Sequence, residues 1–147
     1  MYGKDAHSAY KNVQITTTDR GRLLLMMYEG AIKFLKQSKA GLEEKDIQKF
    51  CRFLSKGQAI IAELMNTIDF EKGGTIARDL DRLYDFMLFY LTEANLHRDG
   101  ARISKVINLL DIIYGAYKEV IEGEKKTGIM QQPKIDHDEI KRVQISL

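Results

Sequence analysis

The sequence predicts an all-α fold, an antiparallel four-helix bundle with an extended N-terminal arm and a polar C-terminal tail. Three observations lead there. Apolar residues recur at helical spacing through four segments of about 20 residues, each about 30 Å long as a helix. Short breaks separate the segments, at Gly41, at Gly73-Gly74 and at Asp99-Gly100. The only proline, Pro133, lies beyond all four. Long helices on short loops fold back on one another as a bundle, which divides the chain into an arm (1–17), a bundle (18–122) and a tail (123–147).

The arm has no 3.6-residue pattern. Tyr10, Val13 and Ile15 stand out among polar neighbours, as in an extended strip that places a few side chains into something. A capping run, Thr16-Thr17-Thr18-Asp19, precedes the first helix, with Thr18 or Asp19 as the cap. That helix runs to about Lys39 and stops near Gly41. Advancing 100° per residue puts Leu23, Leu24, Met27, Tyr28, Ala31, Phe34 and Leu35 on one buried arc. Leu25 and Ile32 widen the arc, and Met26 falls almost opposite. A helix this apolar either lies centrally or offers a flank to a partner.

The second helix spans about 46–68. Its inward stripe is Ile47, Phe50, Cys51, Leu54, Gln58, Ile61, Ala62, Met65 and Ile68, with Phe53, Gly57, Ile60 and Leu64 on the flank. Gly57 disfavours a helix interior by up to about 1 kcal/mol against alanine, a sign that a neighbour approaches closely. The third helix, about 75–97, turns Ile76, Leu80, Leu83, Tyr84, Met87, Tyr90, Leu91 and Ala94 inward and leaves Phe86 and Phe89 off the stripe. The fourth, about 101–122, buries Ile103, Val106, Ile107, Leu110, Ile113, Tyr114, Tyr117 and Ile121, with Leu109 and Ile112 off it. From Gly123 the texture turns polar, and 138–147 regains Ile140, Val143, Ile145 and Leu147. That stretch reads as a short helix or a segment that docks on a groove and competes with a client.

Composition excludes several functions. A net charge of +2, from 23 basic and 21 acidic residues, is near balance, and Lys4, Lys11, Arg20 and Arg22 make too thin a patch for nucleic acid. No segment has the apolar length of a membrane span. Residues 1–10 are polar and mixed in charge, unlike a secretory signal. The single cysteine permits no intrachain disulfide and suits a reducing compartment, so a cytoplasmic location is expected.

Chemistry is sparse. Di-iron bundles use Glu-x-x-His on two helices; here Glu93 and His97 stand four apart, with no second copy. Cys51, on the inward stripe, reads as a small core hydrophobe. Gly73-Gly74 lacks the phosphate-loop lysine, and Asp79, Asp81 and Asp85 are spaced as a solvated face. No enzyme, cofactor or metal is expected. What remains is apolar excess: Leu25, Ile32, Phe53, Ile60 and Leu64 are the candidate groove residues, with Phe86, Phe89, Leu109 and Ile112 also off the stripes. Contiguous apolar surface marks a groove for a partner helix.

Several motifs fit one family. Tyr10-Lys11-Asn12-Val13-Gln14-Ile15-Thr16-Thr17 is similar to a Tyr-x-x-Val-x-Val-x-Thr opening, and the stretch from Leu24 through Tyr28-Glu29-Gly30-Ala31 to a Leu-Leu-Tyr-Asp-Gly-Ala first helix. Leu83-Tyr84-Asp85-Phe86, followed by Leu91 and Ala94-Asn95, is similar to a third-helix signature. Across residues 10–121 the chain resembles the FliS family of flagellar export chaperones. It departs from the pattern at Thr18-Asp19-Arg20, where relatives carry Ser-Pro-Glu, and at Tyr117, where a tryptophan is common. The tail inherits nothing.

The resemblance implies a cytoplasmic chaperone without ATPase activity. Its client is the disordered C-terminal segment of flagellin, kept from polymerising early and presented to the type III export gate. An export-gate component and other flagellar regulators are further expected partners, and self-association through the apolar strips is open. The arm residues Tyr10, Val13 and Ile15 are expected to cover the site and move aside. The alternative is a bundle adaptor for another helical client.

Overall fold

The computed structural model describes residues 17–127, with side chains placed over 19–123. The arm residues Tyr10, Val13 and Ile15, and the tail from 128 on, lie outside the described residues. Four helices follow in order, α1 (Thr17–Glu43), α2 (Ile47–Asn66), α3 (Phe70–His97) and α4 (Gly100–Thr127). Among the described residues there is no strand. α1 packs on α2 and α4, and α3 packs on the same two, so consecutive helices are neighbours and α1 lies diagonal to α3. This is the all-α four-helix bundle that the periodicity predicts.

The breaks differ from expectation in instructive ways. Gly41 does not stop α1; it lies buried inside the helix, against the backbone of Phe50. The stop is at Lys45, left-handed at φ 58°, with Lys45 N–H donating to Leu42 O and Asp46 N–H to Gly41 O. That pair of bonds is the Schellman ending. Asp46 then caps α2, its carboxylate accepting from Lys49 N–H at 3.0 Å. Asp46→Ala is expected to lower stability by about 1 kcal/mol, read from the urea midpoint at unchanged slope.

Asp69 caps α3 by accepting from Glu71 and Lys72 N–H. The expected Gly73-Gly74 turn is instead a kink near the start of α3, with Gly74 at φ 56°, ψ −128°. Past it α3 runs as predicted to His97. Arg98, left-handed at φ 50°, ends it. α4 continues to Thr127, beyond the predicted boundary at Glu122.

The α3 stripe from Leu80 to Ala94 is buried as read. The α2 stripe is rotated. Phe50, Leu54, Gly57, Ile61 and Leu64 face inward, while Cys51 and Ala62 are exposed and Ile47 is at the surface. Cys51 as a core residue is therefore corrected, and so is Leu64 as a flank residue, since it is wholly buried. The cause is Gly57. A Cβ there would sit 2.7 Å from Leu35 Cδ2, so α2 turns its bare backbone toward α1 and carries Leu64 with it. Leu109 is also buried rather than off-core, because α4 packs on both α1 and α3. Leu23, expected inside, is 61% exposed. Gly21 takes the inward place by meeting Ile121, and Leu23 falls about 200° around the helix from it.

Candidate functional site

Three tyrosines occupy the centre. Tyr28 on α1 and Tyr84 on α3 share a hydrogen bond between their hydroxyls, across the bundle diagonal. Tyr117 on α4 packs its ring on Tyr28 with centroids 5.6 Å apart. Burial raises the Tyr28 hydroxyl well above its usual value, with Tyr84 and Tyr117 adding to it. Burial likewise raises Tyr84, against a lowering by its bond to Tyr28, and pushes Tyr117 up to about 12. These are neutral, packed hydroxyls, and among the described residues the groups acting on them are burial and one another rather than the base that acid–base work requires.

The surface carries the more informative geometry. Along the seam of α1 and α2, Phe34 stacks on Phe53 with centroids 5.9 Å apart and planes 23° apart. Lys56 Nζ stands 5.5 Å from the first ring centre and 5.4 Å from the second, and the Arg52 guanidinium 5.0 Å from Phe53. Cations over ring faces are favourable electrostatically and leave the ring edges free. One turn along, Ile60 closes on Gly30, where a Cβ would lie 3.3 Å from Ile60 Cδ1. Met26 shares the Gly30 and Phe34 face of α1 and is 58% exposed. With Leu23 it extends the strip toward the start of α1.

The five predicted groove residues therefore do not share one groove. Phe53 and Ile60 are half-buried on the α1/α2 seam. Leu25, half-buried, shares a face with Glu29 and Ile32 on the other flank of α1, toward α4. Ile32 is nearly buried there, and Leu64 belongs to the core. On that flank Tyr114 donates to Glu29 Oε1 at 2.6 Å, and this bond raises the Tyr114 hydroxyl. The periodicity placed Phe34 in the core and gave no notice of Leu96, which is 73% exposed on α3. Leu96 sits two turns after the exposed Phe89, so extending that stripe by seven residues would have found it.

His97 Nε2 and the Glu93 carboxylate stand 3.4 Å apart at the surface, with Arg102 3.8 Å from the same carboxylate. Among the described residues no group of three or more His, Cys, Asp or Glu is placed to hold a metal. Among them, too, no helix is long and apolar enough to cross a membrane.

A family model described as flagellar protein FliS matches residues 3–124. The chain belongs to the FliS family. The flagellar secretion chaperone FliS of Campylobacter jejuni is 35% identical over 124 residues, which cover 84% of this chain and 97% of that one. That of Vibrio cholerae is 34% identical, over 76% of this chain and 85% of its own. That of Bacillus subtilis is 28% identical, over 84% of this chain and 91% of its own. The FliS family is one of chaperones, not enzymes.

The first-helix and third-helix motifs quoted above contain Tyr28 and Tyr84, the two residues whose hydroxyls meet in the core. Tyr117 completes the cluster.

Proposed function

We propose that this protein holds the disordered C-terminal segment of flagellin in the bacterial cytoplasm, keeping it from polymerising and delivering it to the type III export apparatus. The reading rests on family membership for the kind of client. For the place it rests on one observation, the apolar strip on the α1/α2 seam from Met26 to the Phe34–Phe53 stack. A disordered segment gains helical structure by laying apolar side chains against such a strip, and its ordering cost suits a chaperone that must later release it. Tyr10, Val13 and Ile15 cover part of the client surface until the client arrives. Leu25 and Ile32 supply a second contact line toward α4, and Leu64 acts from below by holding Ile60 and its neighbours in place.

Calorimetric titration with a peptide of the flagellin C-terminal segment tests the reading. One-to-one binding with a clearly negative heat-capacity change is expected. Met26→Asp and Phe53→Asp are each expected to weaken it about 10-fold or more, with helicity by circular dichroism retained. Binding unaffected by both variants would move the site off this seam. Failure to bind flagellin, alongside capture of a different helical peptide on the same strip, would make the protein an adaptor for another client.

A further inference from the structure

On the side of α1 away from that seam, α1 and α4 leave two adjoining depressions of about 540 and 220 Å³ that share Lys36 and Ala40. Ile32, Ala40, Ile107 and Tyr114 give this groove an apolar lining, and its border is mixed in charge, with Lys33, Lys36 and Lys39 beside Glu29, Glu43 and Asp111. Gln37 Oε1 is buried in its wall, with no hydrogen-bond partner among the described residues.

The sequence supplies an occupant within reach. Residues 128–147 follow directly from α4, whose end at Thr127 lies about 20 Å along the helix from Tyr114. Residues 128–137 span up to about 33 Å when extended, enough to turn back and bring residue 138 level with the groove. Read as a helix, 138–147 places Ile140, Val143 and Leu147 on one face. Asp136, Asp138 and Glu139 lead into it and Lys141 and Arg142 follow within it, so the segment, like the groove border, carries both signs of charge. Reach and amphipathic spacing both point to this segment.

We propose that residues 138–147 of this chain dock in the α1/α4 groove, with the apolar face of Ile140, Val143 and Leu147 on Ile32, Ala40 and Ile107. The groove is then self-occupied. Where client reading and docking both hold, a client using Leu25 and Ile32 displaces the segment; the docking itself stands without that reading.

The test uses the full chain with Cys51→Ser, which clears the single native thiol, and a new thiol at the exposed groove rim by Asn108→Cys. Its rate of reaction with a maleimide is compared with and without Ile140→Asp and Val143→Asp, substitutions that lie beyond α4. A thiol at Leu96→Cys, on the outer face of α3, serves as the control site. The Asn108→Cys thiol is expected to react at least about 10-fold faster when the segment carries the two aspartates, with no change at Leu96→Cys. Equal rates at Asn108→Cys overturn the proposal. Protection that fades on dilution also overturns it, by assigning the groove to a second copy. Because no flagellin enters the assay, failure of the client reading leaves its outcome unchanged.

Discussion

Gly41→Ala is expected to be among the most damaging single-methyl additions in this bundle, destabilising it by about 3 kcal/mol and lowering the melting temperature by on the order of 10 °C. A Cβ at this position would lie 2.6 Å from Phe50 N and 3.0 Å from both Asp46 O and Phe50 Cα. All three are backbone atoms in the first turn of α2, held by the Asp46 cap and by the bond from Ser38 Oγ to Phe50 O. They have no rotamer to change, so α1 and α2 must separate. At Gly57 the opposing atoms belong to the Leu35 side chain, which can yield in part, and a smaller loss of about 1 kcal/mol is expected for Gly57→Ala. Gly115 meets nothing within 4 Å, so Gly115→Ala is expected to stabilise by about 0.5–1 kcal/mol through helix propensity alone. Urea denaturation of the three variants gives the order. A Gly41→Ala protein as stable as the parent would mean that α1 and α2 are not this close.

The same glycines explain what sequence reasoning read and what it missed. On α3, Leu80, Leu83, Tyr84, Met87, Leu91 and Ala94 fall on one continuous arc, and Phe89 and Leu96 off it do not make a competing one, so the period fixed the phase from Leu80 to Ala94. On α2, apolar residues cover more than half the circumference, and several phases bury similar area. The chain resolves that choice with Gly57, whose missing side chain lets Leu35 in and turns Cys51 and Ala62 outward. Gly41 misled in the opposite sense: it carries the usual helix-ending residue, yet its use is close approach, and the left-handed stop falls on Lys45. The candidate surface was half legible for the same reason. Phe53 and Ile60 were read as flank residues and lie half-buried on the seam, whereas Gly57 and Leu64, read on the same flank, face inward. Phe34 was not read at the surface, because only the distance between α1 and α2 decides whether its ring packs inside or stacks on Phe53 at the rim.

Removing both hydroxyls of the central pair is expected to be less harmful than the two single removals added together. Tyr28→Phe or Tyr84→Phe alone strands the other buried hydroxyl and is expected to destabilise by about 1–3 kcal/mol. The double variant removes donor and acceptor together, leaves two packed rings, and is expected to fall short of the sum of the single losses by about 1 kcal/mol or more. Strictly additive losses would show that the hydroxyls do not depend on each other. The pair also sets an alkaline limit. In the unfolded chain these tyrosines ionise near pH 10, whereas burial holds Tyr28 and Tyr84 above that and Tyr117 near 12. Above pH 10 the unfolded state releases protons that the folded state retains, so unfolding is favoured. Their contribution is therefore whole below pH 10 and lost as pH rises to 12 and beyond. Stability of the parent is expected to drop more steeply over that range than that of Tyr28→Phe/Tyr84→Phe, which keeps only the Tyr114 and Tyr117 parts of the slope. Parallel pH curves would place the alkaline sensitivity elsewhere, and the tyrosine pair would then be a packing contact without electrostatic consequence.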